Sequence, residues 1–355
     1  MKRLIAIADR ATHMSLKLLV ALNALFFLSF LIIALLAAGK ARAETSACAG
    51  TDMLSALQKD DPAAYRKIEA DAAATPNGKG LLWKLEKSGE KPSFLFGTMH
   101  VTDPRVTTLP PAAQKAFDAA GTVIIETTEV LDKQKMMAVL LKEPDLMMFT
   151  DKTTLSSLLS PDDAAVVNKA LDARGIPPAT VAKMKPWLLS AMVALPACEV
   201  ARQAGGAPVL DVKLAKDAEA AGKSVEGLET IADQLRAMAS LPIAFHLKGL
   251  VDTLKLGDKV NDVNETMIVL YRRGDTGMYV PLFRTVIPEQ VDDQSGYAEF
   301  EQTMITSRNK VMVDRAAPIL AHGNVFMAVG AMHLPGAQGL VEGFRKAGYT
   351  VTAVN

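Results

Sequence analysis

Apolar runs and chain breakers alternate so as to put strands near the two ends of the chain and helices between them. From Leu81, "LLWKLEKSG" and "KPSFLFG" are apolar runs separated by Lys, Ser, Gly and Glu, the pattern of a β-hairpin. "VTDPRVTTLPP" follows as a loop, and Pro110 and Pro111 suit the first turn of a helix reaching about Ala120. Gly121 stops that helix, and "TVIIE" reads as a buried strand ending at Glu126. The C-terminal end repeats the layout: "NVFMAVG" as strand, "AMHLPGAQG" as loop, "LVEGFRKA" as helix, a stop at Gly348, and "YTVTAV" as strand. Each unit carries the phrase Gly-x-Met-His directly after its first strand, at His100 in "FLFGTMH" and at His333 in "MAVGAMH".

Helical spacing fills most of the rest. "SALQKDDPAAYRKIEADAAA" reads as one helix ahead of the breaker "TPNGKG". The middle region, about 130–320, predicts helices over "LDKQKMMAVLLKE", over "SPDDAAVVNKALDARG" starting at Ser160 or Asp162, and over "MKPWLLSAMVALPACEVARQ" with a break near Pro196. "VLDVKLAKDAEAAGKSVEGLET" predicts a helix, a stop at Gly222 and a short strand. "YAEFEQTMITSRNKVMVDRAAPILAHG" predicts a last long helix. The class that results is α/β, with two β–GxMH–α–β units around a helical insertion. A strand, a helix and a second strand most often pair in parallel, and ligands of such sheets sit beyond the carboxyl ends of the strands. Both histidines lie at such ends.

Residues 1–43 stand apart. Lys2, Arg3, Arg10 and Lys17 precede an apolar stretch from Leu18 to Gly39, and Ala41-Arg42-Ala43 fits a signal-peptidase site before Glu44. The stretch is long enough to span a bilayer, so the segment is either a cleaved export signal or an N-terminal membrane anchor. Residues 44–355 then form the exported domain, periplasmic or secreted. The whole chain balances 39 basic against 39 acidic residues. Without the basic leader the remainder is acidic by about five charges. That excess argues against nucleic-acid partners and against an anionic membrane surface, leaving the leader as the only membrane contact. The chain's two cysteines, Cys48 and Cys198, both follow the leader, and in an oxidising compartment they read as one disulfide.

Imidazole is the commonest metal ligand and the usual general base. Two of them in matching phrases, among only five histidines, are candidate functional groups. Gly97 and Gly330 allow either a close backbone approach or an unusual conformation. Glu126 ends its strand at the same rim, with Glu129 as the neighbouring alternative. His100, His333 and Glu126 make a plausible set of three ligands for a divalent ion with open positions for water and substrate. On the last helix, Arg308 shares a face with Met304, Val311, Met312, Arg315 and Ile319. An arginine so placed needs a carboxylate or a substrate oxyanion, which leaves a structural ion pair and a catalytic role both open. His246 falls in a mixed helix, His322 in a loop and His13 in the leader. No HExxH helix, GxSxG elbow, P-loop or Rossmann fingerprint occurs.

The order "FLFGTMHVTDPRV", "VIIETTE", "GKSVEGLET", "SRN" and "MAVGAMHLPGAQGLVEGFRKAGYTV" is similar to that of the TraB/GumN family, which is related to the Tiki metalloproteases. The resemblance runs from about Cys48 to Val354. It implies a central mixed sheet flanked by helices, as in erythromycin-esterase and ChaN-like proteins, and a metal-dependent, peptidase-like site using manganese, cobalt or zinc. Carried over by motif, the metal-binding histidines fall on His100 and His333, the acid on Glu126 and the arginine on Arg308. Branch names within the family refer to polysaccharide biosynthesis and to peptide pheromones. The leading expectation is an exported metal-dependent hydrolase of small peptides. The alternatives are a metal-free His/Glu esterase and a non-catalytic binder of a peptide or saccharide.

Overall fold

Six strands form one sheet: β1 Leu82–Glu86, β2 Ser93–Thr98, β3 Thr122–Ile125, β4 Ser224–Gly227, β5 Val325–Gly330 and β6 Thr350–Ala353. The computed structural model describes residues 48–286 and 294–354. The expected export signal or anchor, residues 1–43, lies outside the described residues. Among the described residues no helix is long and apolar enough to cross a membrane.

The strand order is β4-β3-β5-β2-β1-β6. β1 is antiparallel to both β2 and β6, while β3–β4, β3–β5 and β2–β5 pair in parallel, so the sheet is mixed. The expected hairpin of β1 and β2 forms, with Leu82 opposite Phe96. The two histidine units do not pair within themselves as expected. β5 inserts between β2 and β3, and β2 and β1 separate β5 from β6. The units interleave, and their histidine-bearing strands become direct neighbours at the centre.

That centre is buried on both faces, which is why its strands are continuous apolar runs rather than alternating ones. Phe96, Val123, Ile125, Phe326 and Ala328 join one core with Leu210, Leu214, Ile268 and Tyr271. Leu95, Ile124, Val325, Met327 and Val329 face the other, with Met312, Leu320 and Phe344. The middle region is helical as expected and adds a separate cluster in which Leu171, Leu189 and Leu250 are fully buried.

Local chemistry sets several boundaries. The first expected helix is two, Met53–Asp60 and Pro62–Ala73, because Asp61 caps Ala64 N and Pro62 opens a new first turn. The region around Pro196 likewise divides into Pro186–Val193 and Ala197–Ala204. Ser160 caps Pro161–Ala173. The last long helix begins at Gln294, passes through a π turn at Gln302–Thr306 and continues as Ser307–Leu320. The π turn offsets the expected face by about one residue step. Met304, Asn309, Met312, Ala316 and Leu320 are buried, whereas Val311 is 38% exposed and Arg315 is half exposed.

Candidate functional site

Adjacent parallel strands that end together deliver their following residues to one rim. The β2–β5 ladder runs from Phe94 opposite Phe326 to Thr98 opposite Gly330, so His100 and His333 leave the sheet side by side. β3 flanks β5 on its other side and ends at Ile125, which brings Glu126 to the same place. Glu126 Oε1 accepts a hydrogen bond from Gly330 N at 2.8 Å, clasping β3 to the exit of β5. A Cβ on Gly330 would stand 3.2 Å from Glu126 Oε1, 3.5 Å from His100 Nε2 and 3.6 Å from His333 Cδ2. Three expected site residues therefore converge on one glycine. Neither Gly97 nor Gly330 has a positive φ, so close approach is what each position requires.

The two imidazoles differ in setting. His333 lies in a 3-10 turn, Ala331–His333, with its side chain 5% exposed, and its Nδ1 is 2.6 Å from Asn309 Oδ1. Its Nε2 faces Glu126 Oε1 at 3.9 Å. Burial holds its pKa down at about 4, against the pull of the Glu126 charge. His100 is 60% exposed, and its Nδ1 lies 2.8 Å from Asp211 Oδ2. Asp211 is fixed in turn by the Thr98 hydroxyl, which donates to Oδ1 at 2.6 Å. The Asp211 charge raises His100 to about 9, outweighing desolvation. In both rings a side-chain oxygen holds Nδ1, the arrangement that fixes the orientation of metal-bound histidines.

Glu126 is nearly buried, and burial alone would push its carboxyl up. His333, His100 and Arg308, with the Gly330 N–H, prevail and hold it at about 2. Its Oε2 accepts from Arg308 Nη2 at 2.7 Å and from Gln234 Nε2 at 2.9 Å. Arg308, 12% exposed, also donates to Glu229 from Nε at 3.0 Å and from Nη2 at 2.6 Å, and from Nη1 to Met304 O at 3.2 Å. Its nitrogens all serve the protein, so the guanidinium orients Glu126 rather than projecting free into solvent. Arg315 is separate, donating to Leu228 O. Among the described residues no group of three or more His, Cys, Asp or Glu side chains forms a ready-made metal cluster, and Glu126 engages Gly330, Gln234 and Arg308 with its two oxygens.

Glu129, the alternative acid, accepts from Ile231 N at 2.8 Å at the start of the Ile231–Ala239 helix and does not join the cluster. His246 is a buried histidine whose Nε2 lies 3.0 Å from Met238 O. A cavity of about 570 Å³ lined by Lys67, Arg284 and Tyr297 lies apart from these residues.

Sequence reasoning assigned no role to Asp211, Glu229, Gln234 or Asn309, which hold the central groups. Glu229 and Asn309 do fall in the stretches "GKSVEGLET" and "SRN" that carry the family resemblance. Asp211 and Gln234 are single polar residues on helices, with no local signal.

The loop after His100 is pinned from two directions. Buried Glu199 accepts from Thr102 N at 2.7 Å and Thr102 Oγ1 at 2.9 Å, and Arg202 donates to Glu199 at 3.0 Å. Glu199 and Arg202 belong to the Ala197–Ala204 helix, which the expected disulfide between Cys198 and Cys48 ties to the start of the described chain, Cα to Cα 5.5 Å. Asp103 caps the next turn at Arg105 N, and Arg105 makes a bidentate pair with Glu265, 2.7 Å at each nitrogen. A structural disulfide points to a compartment outside the reducing cytosol.

Residues 81–353 match the TraB/PrgY/gumN family. Metalloprotease TIKI1 of Danio rerio is 26% identical, over 76% of this chain and 62% of the relative. Metalloprotease TIKI2 of Danio rerio is 24% identical, over 76% and 60%, and TIKI2 of Xenopus tropicalis 25% identical, over 76% and 59%. The chain spans about three fifths of the length of these curated relatives. No solved structure matches.

Proposed function

The chain belongs to the TraB/PrgY/gumN family, and from that premise we propose that it is a divalent-metal-dependent hydrolase of peptides. His100, His333 and Glu126 hold the ion, which is manganese, cobalt or zinc. The observation that carries this reading is the approach of His100 Nε2, Glu126 Oε1 and the His333 ring to Gly330. The donor set fits: with both Nδ1 atoms anchored, His333 Nε2 faces the carboxylate at 3.9 Å and His100 Nε2 shares with it the approach to Gly330. Charge fits as well: with His100 deprotonated for ligation, Asp211, Glu126 and Glu229 outnumber Arg308 by two, and a dication offsets the difference. The relatives' name, metalloprotease, supports the peptide substrate.

When bound, such an ion acidifies water and polarises a carbonyl. The protein's own part is orientation. Arg308, held by Glu229, keeps Glu126 ionised and aimed. Asp211 steadies His100 on the exposed side, where substrate arrives. We place residues 1–43 as export signal or anchor and the remainder in the periplasm or outside the cell.

The Asp211–His100 contact favours one further reading, a metal-free esterase in which His100, deprotonated as pH rises toward 9, acts as base. Peptide and ester hydrolysis with and without chelator separate the two. Loss with chelator and recovery on adding one metal support the metal reading. Full activity in the stripped protein, abolished by His100→Ala, supports the esterase. Retention of a peptide or saccharide without turnover would make the protein a binder.

A further inference from the structure

Asn309 is 2% exposed, and both atoms of its amide group are engaged. Nδ2 donates to the carbonyl of Gln338 at 2.8 Å and to that of His333 itself at 3.3 Å. Carbonyls only accept, so these two contacts fix which way the amide points. Oδ1 must then be the atom facing the imidazole, 2.6 Å from His333 Nδ1. An amide oxygen cannot donate, so Nδ1 must carry the hydrogen. The lone pair of the neutral ring is left on Nε2, the nitrogen that faces Glu126 Oε1.

We propose that Asn309 is a positioning residue that locks His333 in its Nδ1–H tautomer and aims Nε2 at the candidate metal position. The consequence for metal binding rests on the reading above, whereas the tautomer does not. The helix makes this possible. Arg308 and Asn309 are consecutive at the start of Ser307–Leu320, directly after the π turn, and point about 100° apart. One reaches Glu126 and Glu229, the other His333, so a single helix start orients two of the three candidate ligands. Asp211 holds the corresponding nitrogen of His100, but as a carboxylate. An amide sets the tautomer without adding a charge.

The test uses the full chain, nitrogen-15 labelled and stripped of metal, with two-bond proton–nitrogen spectra of the histidine rings at neutral pH. His333→Gln identifies the His333 signals. Wild type should show the Nδ1–H pattern, and Asn309→Asp, which keeps an acceptor but adds a charge, should keep Nδ1 protonated, as the neutral tautomer or as imidazolium. Asn309→Leu should show Nε2–H or a mixture, and zinc affinity by chelator competition should fall about 10–100-fold. A residue that only staples the loop would lower stability in both variants and leave the tautomer alone. An Nε2–H pattern in wild type, or an unchanged Nδ1–H pattern in Asn309→Leu, overturns the proposal. Should Asn309→Leu fail to fold, Asn309→Ser, too short to reach the ring, takes its place. If wild type takes up no divalent ion, the metal reading fails and the tautomer spectra alone decide the role of Asn309.

Discussion

Thr98 and Gly330 are register partners in the parallel ladder of β2 and β5, although they hold different positions in the two Gly-x-Met-His phrases. The phrases are thus offset by one residue in space, and their continuations differ. After Gly97 the chain leads to an exposed His100; after Gly330 it closes into a 3-10 turn that buries His333. The offset gives each glycine a job for the other unit. A Cβ on Gly97 would stand 3.1 Å from the Cα and Cβ of Ala331, while one on Gly330 would point among the three candidate ligands.

The two alanine substitutions should therefore fail differently. Gly97→Ala must shift backbone at Ala331 and should cost about 1–3 kcal/mol of stability. Gly330→Ala should cost less stability and more metal affinity, because side chains yield where backbone does not. Denaturant melts beside chelator competition on the same samples check this pair, and equal effects on both properties would contradict it.

Much of this was legible beforehand. The central strands are apolar runs closed by glycine, and the paired phrases mark the rim. The order of strands was not legible, because interleaving of the two units depends on contacts between segments far apart in the chain. The offset face of Ser307–Leu320 was hidden by the π turn, whose extra residue leaves no mark on a helical period. Asp211 and Gln234 were illegible for a simpler reason: a lone acid or amide on a helix is ordinarily solvated, and only the fold brings these two to His100 and Glu126.

Glu229 should matter to stability as well as to activity. Its removal as Glu229→Ala leaves the Arg308 guanidinium buried with half its carboxylate partners. The expected cost is about 3–5 kcal/mol in urea unfolding. A change within about 0.5 kcal/mol, the range of ordinary surface substitutions, would show that water replaces the pair.

In the metal-free protein, stability should peak near neutral pH. His100 is raised to about 9 in the fold, so its contribution is complete below its unfolded value and is lost as pH climbs toward 9. His333 is lowered to about 4, so its contribution holds above the unfolded value and is lost as pH falls toward 4. Glu126, at about 2, adds a further loss below its ordinary carboxylate range. His100→Asn should flatten the alkaline limb and leave the acid limb in place. Chemical denaturation across pH measures this; an alkaline limb that survives the substitution assigns it to another group.

Reducing Cys48–Cys198 should loosen the His100 loop as well as the start of the described chain, because Glu199 and Arg202 of the same helix hold Thr102. The expected loss is about 2–5 kcal/mol, with faster amide exchange at Val101 and Thr102. Slow exchange there in the Cys48→Ser/Cys198→Ser protein would separate the disulfide from the loop.

The central claim is that His100, His333 and Glu126 together bind one divalent ion, and direct titration of the stripped protein with manganese, cobalt and zinc tests it. Calorimetry with metal analysis after gel filtration should give one tightly held ion per chain, lost or weakened about 100-fold or more in His100→Ala, His333→Ala and Glu126→Gln. No uptake by the wild type, or undiminished uptake in His333→Ala, would contradict it.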